Sequence, residues 1–166
     1  MRETDASLDT ILADARVCTL CDGLPLGPLP LVRASTTAQL LIISQAPGTK
    51  TYASGLSFDD RLRDWLCMDR EVFCDEARVA IMPMGFYYPG RLPKGGDAPP
   101  RPECAQLWHA PILAAMPDVR LPLYVDSYAI RSFLSGYRTM TDAVADWRAH
   151  GAGVLPLPHP SWRTNG

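Results

Sequence analysis

Three short segments of this sequence carry residue types that could do chemistry, and a cysteine pair could hold metal. Gln45-Ala46-Pro47-Gly48 follows an apolar run. Glycine and proline there let the backbone turn sharply and offer N–H groups to a ligand, although a plain strand-to-helix turn has the same composition. Phe58, in Gly55-Leu56-Ser57-Phe58-Asp59-Asp60, is an aromatic in a polar context. It fits either a core position or a platform on which a base stacks, the latter worth roughly 1–3 kcal/mol. His159-Pro160-Ser161-Trp162 follows the last apolar run. A histidine on such a loop can donate a hydrogen bond to a developing anion, the rigid proline fixes its direction, and Ser161 with nearby N–H groups can hold a phosphate; an ordinary surface loop would read the same way. Asp59, Asp60, Asp97 and Glu103 are the neighbouring acids. Helix caps and solvated loops explain each of them, and no two are spaced as an acid–base pair.

Cys18-x-x-Cys21 has metal-ligand spacing but needs further ligands, for which Cys104, Cys67 and Cys74 are the candidates. Cys67 falls on the apolar side of an expected helix and is assigned to the core. His109 and His150 fall in helical segments and receive no role.

The elements that must position these residues are legible as apolar runs and periodicities. Leu40–Ser44, Val79–Met82, Leu121–Val125 and Gly153–Leu157 are short continuous apolar runs, as buried parallel strands require. Helices are expected over 7–16 behind a Ser7 cap, after residue 60 with Leu62, Trp65 and Leu66 on one face, over 103–116 with Cys104, Leu107, Trp108 and Leu113 near one face, over 127–134 and over about 139–149. Strands alternating with helices predict a parallel sheet covered on both faces, with sites in the loops at the strands' carboxyl ends. The loops at 45–58, 83–102 and 158–163 fall there, and the long Pro- and Gly-rich middle one is of a length usually reserved for function.

Composition sets outer bounds. The 166 residues suffice for one domain. A formal net charge of −2 argues against a protein held on nucleic acid by bulk positive charge, but not against a local basic rim. The basic residues are nearly all arginine, with Lys50 and Lys94 the exceptions, which suits bidentate phosphate contacts and equally reflects a GC-rich coding sequence. Five cysteines, an odd count, do not suggest a disulfide framework. No apolar run reaches the roughly 20 residues that span a bilayer. The polar start Met1-Arg2-Glu3-Thr4-Asp5 lacks a secretory pattern, so a cytoplasmic protein is expected. Nothing signals an oligomer, and a monomer is expected.

Taken together, the motifs resemble the uracil-DNA glycosylase superfamily, and within it small bacterial uracil-DNA glycosylase-like proteins related to the iron–sulfur family 4 enzymes. The resemblance rests on the order Gln45-Ala46-Pro47-Gly48, Gly55-Leu56-Ser57-Phe58 and His159-Pro160-Ser161, on Met84 through Gly90, and on Gly96 through Cys104; it covers the chain from about Cys18 onward. It implies an α/β fold: a three-layer α/β/α sandwich with a central four-stranded parallel sheet, residues 1–166 forming one domain. The family's further C-terminal helix is expected to be missing, since the sequence stops at Gly166.

The resemblance also implies a DNA-base glycosylase that flips out uracil or another deaminated base and hydrolyses its N-glycosidic bond, with single- or double-stranded DNA as partner. His159 would stabilise the base anion and, with Gln45, form the catalytic pair. Phe58 would stack on the base; Ala46, Pro47, Gly48 and Asp97 would line the pocket, and Ser161 would grip a phosphate. No cofactor is otherwise required, but Cys18 and Cys21 match the first two ligand positions of an iron–sulfur cluster, with Cys104 as a further ligand. This chain has Ala46 where the best-known uracil enzymes have an aspartate, Met82-Pro83-Met84 where an asparagine reads the uracil edge, and Tyr87 where relatives carry a cysteine. A non-catalytic nucleic-acid or nucleotide-binding protein on the same scaffold, or a metal protein, are the alternative readings.

Overall fold

The computed structural model describes residues 7–27, 29–56 and 61–160. Four strands, β1 (Leu40–Ile43), β2 (Val79–Ile81), β3 (Leu121–Val125) and β4 (Leu155–Leu157), form one parallel sheet in the order β2-β1-β3-β4. The strands are short and apolar because both faces of the sheet are covered. β1 is buried along its whole length. Its alternate residues serve opposite faces: Leu41 and Ile43 join Ala80, Met82 and Tyr124 in one core, while Leu40 and Ile42 join Val79, Ile81, Leu123 and Val125 in the other.

The first core is closed by α1 (Leu8–Arg16), α6 (Ala110–Ala114), α7 (Ser127–Phe133) and α8 (Met140–Ala145). The second is closed by α3 (Arg61–Trp65) and α4 (Arg70–Cys74), through Leu62 and Phe73. This is the expected three-layer arrangement. α1 forms where the periodicity predicts it. The Ser7 hydroxyl accepts from the Thr10 N–H at 3.3 Å, and Leu8, Ile11, Leu12 and Ala15 are buried. Outside β2, residues 31–34 shield the sheet edge: Arg33 and Ile81 exchange backbone bonds of 3.0 and 2.8 Å.

Two expectations about helix faces are corrected. α3 ends at Trp65, which is 38% exposed, and Cys67 follows in a left-handed turn (φ 50°), exposed rather than in the core. The segment expected as a regular helix over 103–116 contains a wide turn. α5 (Pro102–Cys104) passes into a π-helical turn, Ala105–His109, and then into α6. Pro111 has no N–H, and its ring would collide with the carbonyl four residues back in a regular α-helix; the wider turn makes room. The extra residue rotates the buried face, so His109 and Ile112 point inward and Leu107 is exposed.

Gly85 marks the tightest approach near the site. A Cβ there would lie 3.1 Å from Pro100 Cβ and 3.2 Å from the Arg101 backbone nitrogen. Because backbone must move to admit it, Gly85→Ala is expected to cost about 1–3 kcal/mol in urea unfolding. An unchanged midpoint would show that the 83–102 loop yields freely.

Candidate active site

Three of the loops singled out above meet in one cleft at the carboxyl ends of the strands. It has a volume of about 410 Å³, within the ~300–1,000 Å³ of small-molecule sites. Gln45, Ala46, Pro47 and Gly48 form one wall, Lys50 and Thr51 of α2 (Thr49–Ser54) extend it, and Pro83, Asp97, His159 and Pro160 face them.

The Gln45 wall is held from three sides. Beyond β2 the ladder continues: Ser44 O accepts from Met84 N at 2.7 Å, and Gln45 O accepts from Gly85 N at 3.0 Å. On the opposite side Gln45 N donates to Asp126 Oδ2 at 2.7 Å. The Gln45 side chain reaches forward, its Nε2 donating to Ala98 O at 3.4 Å. Ala98 closes a small hairpin, its N–H bonded to Gly90 O at 2.8 Å, with Gly95 and Gly96 at positive φ (92° and 83°) at the tip. Gln45 thereby anchors the hairpin that carries Asp97. Gly48 adopts φ −80° and ψ 175°, open to any residue, so the turn does not require a glycine; a Cβ there would only come within 3.9 Å of Asp97 Oδ2.

His159 sits at the mouth of the cleft. The protein wall behind it pushes its pKa below the usual imidazole value, and the Asp97 carboxylate pulls weakly the other way. At neutral pH the ring is therefore neutral and donates one N–H. Asp97 is the acid that lines the cleft among the described residues. Phe58, with Asp59 and Asp60, and Ser161 with Trp162 lie outside the described residues.

Two residues that sequence reading passed over support this site from behind. Asp126, 4% exposed, caps α7 through Oδ1, which accepts from Tyr128 N at 2.9 Å, while its other oxygen takes Gln45 N. It does so from φ 79° and ψ 176°, a region that disfavours every residue except glycine and costs on the order of 1–3 kcal/mol. Burial raises its pKa to about 6, against the pull of its three backbone donors. His109, assigned no role from sequence, is buried between Phe86 and Phe133, and its Nε2 donates to Pro83 O at 2.9 Å. Burial lowers its pKa. The signal for Asp126 was present as an Asp directly after an apolar strand and before a helix; His109 was hidden by the π-turn.

The cysteines stand apart from the cleft. Cys21 and Cys104 are buried, Cys18 is half-buried, and all three are free thiols. The Cys21 and Cys104 side chains interact directly; burial raises both thiols, Cys104 to about 12. Tyr87 fills the remaining corner, its hydroxyl donating to Cys18 O. Among the described residues no group of three or more His, Cys, Asp and Glu side chains is disposed to hold a metal ion. The corner therefore does not fit the four-ligand iron–sulfur cluster that the resemblance implies, because a phenol already committed to a carbonyl stands where a fourth thiolate would be needed.

The family model described as the uracil DNA glycosylase superfamily matches residues 32–166, a span that includes every cleft wall named above. Among the described residues no helix is long and apolar enough to cross a membrane.

Proposed function

The chain belongs to the uracil DNA glycosylase superfamily, and on that premise we propose that the cleft receives a flipped-out uracil or other deaminated base of DNA and hydrolyses its N-glycosidic bond. The observation that carries this reading is the convergence of Gln45–Gly48, Asp97 and His159 on one cleft at the strand ends. In a duplex the glycosidic bond is shielded by stacking, so the nucleotide must be extruded into such a cleft at a cost of a few kcal/mol.

As the bond breaks, negative charge gathers on the base and positive charge on the sugar. The neutral His159 ring donates its N–H to the base oxygen where that charge develops. Asp97, carried on the hairpin that Gln45 anchors, supplies the anion that favours the oxocarbenium-like sugar and orients the attacking water. Water adds to the sugar carbon, and the base leaves with a proton. Phe58 stacks on the extruded base, and Ser161 contacts a phosphate beside it.

The cleft's readout of the base edge is weak at one wall. Pro83 has no N–H, and its carbonyl is turned to His109. Hydrogen-bonding sites reject analogues by 10⁴–10⁵, whereas apolar walls manage only about 10–200-fold. Uracil, hypoxanthine and xanthine are accordingly expected to be released from oligonucleotides at rates within about 100-fold of one another. Strand scission at the abasic site, in single- and double-stranded oligonucleotides, measures this. The presence of Ala46 where a carboxylate could orient water favours a second reading, a nucleic-acid-binding protein without catalysis. Binding of all three oligonucleotides with no scission in any would select it.

A further inference from the structure

Residues 18–27 form a strap that joins the thiol corner to the cleft. At one end Tyr87 donates to Cys18 O, and Cys21 meets Cys104 at the end of α5. At the other end the Tyr52 hydroxyl of α2 lies 2.8 Å from Leu26 O and 2.7 Å from Gly27 O. The same α2 carries Lys50 and Thr51 of the cleft wall. The strap has no regular secondary structure, so its position depends on these side chains. Two arrangements can hold such a strap: thiolates on a shared metal cluster, or hydrogen bonds and burial.

We infer that Tyr87 is the single residue that makes this corner a metal-free knot, and that replacing it with cysteine opens the corner to an iron–sulfur cluster. Three thiols lie near one another there from two distant parts of the chain, Cys18 and Cys21 on the strap and Cys104 on α5, with Cys21 and Cys104 in direct contact, but they are not disposed to hold a metal ion while Tyr87 is in place. Tyr87 is buried among them. Its one phenolic proton is spent on the Cys18 carbonyl, so it is a poor ligand. Its buried ring occupies this corner, and the strap is held there by hydrogen bonding and burial. A thiol at position 87 removes both the plug and the competing bond while supplying the fourth sulfur that such a cluster takes.

The test is anaerobic reconstitution of the full chain with ferrous iron and sulfide, followed by iron and sulfide analysis and visible absorption. The wild-type chain is expected to retain well under one iron per chain after desalting, and Tyr87→Cys to retain about four, with the broad visible absorption of a cluster. Stoichiometric cluster in the wild type would overturn the inference, as would a folded Tyr87→Cys that takes up no iron. Tyr87→Phe keeps the ring and removes only the hydroxyl, so it is read even where the cysteine variant does not fold. It is expected to stay iron-free and to raise the rate of Cys18 modification by a disulfide reagent about tenfold, as loss of one closing hydrogen bond predicts. An unchanged modification rate would show that the hydroxyl does not hold the strap.

Discussion

His159→Ala is expected to slow single-turnover base release by about 10²- to 10³-fold while leaving the circular dichroism spectrum and the unfolding midpoint near wild type. The magnitude follows from removing one donor aimed at a developing anion once the bound DNA closes the cleft to water, about 2.7–4 kcal/mol of transition-state stabilisation. The fold is spared because His159 is exposed at the cleft mouth and lies outside both cores. Affinity for a base-containing oligonucleotide should change far less than the rate, since the charge that His159 meets arises only in the transition state. Equal losses of binding and rate would assign His159 to ground-state contact instead.

Asp126→Asn is expected to change how stability depends on pH. Burial raises the folded-state pKa of Asp126 to about 6 from an ordinary value of 3.8. A carboxyl raised on folding contributes stability that is fully present below the unfolded pKa and is lost as pH rises through the folded one. Between about pH 4.5 and pH 7 the wild type should lose on the order of 2 kcal/mol relative to Asp126→Asn, whose amide does not titrate. The difference between the two proteins is the quantity to measure, by urea unfolding across that range. His109 and His159, both lowered on folding, push stability the opposite way with pH and cancel in the comparison. An Asn can also accept only one of the two sets of N–H groups that Asp126 serves. With its oxygen on Tyr128 and Ala129, its NH₂ would face the Gln45 N–H, so base release should fall at every pH. A parallel pH dependence in both proteins would remove Asp126 as the titrating group.

The strands were legible because burial on both faces forces continuous apolar runs, and all four lie inside the segments read as such, with β1 and β2 one residue and β4 two residues shorter than expected. The sheet's crossing order explains why loops far apart in sequence share one cleft. β1 is central and β4 is an edge strand, yet the loops after both open toward the same end. Gln45–Gly48, Asp97 and His159 could therefore be named from loop position. What the sequence concealed depends on geometry that periodicity does not carry. The π-turn before Pro111 turned His109 inward against the helical register. The left-handed turn at Cys67 after α3 put that thiol in solvent, against the helical register. Asp126 reads as a simple helix cap. Only its backbone at φ 79° and its bond to Gln45 show that it ties β3 to the first cleft wall. The cysteine spacing was legible too, but it was Tyr87, not a cysteine, that the fold brought to the fourth corner.

Severing a base from DNA is the reaction proposed for this cleft. Its most direct test is a mass balance at stoichiometric enzyme, with a single-stranded oligonucleotide carrying one uracil followed by mass spectrometry. Free uracil is expected in step with an oligonucleotide lighter by uracil less one water, its backbone still intact, with both products forming about 10²- to 10³-fold more slowly in His159→Ala. An oligonucleotide that is bound but unchanged in mass after prolonged incubation with the folded wild-type protein would contradict it.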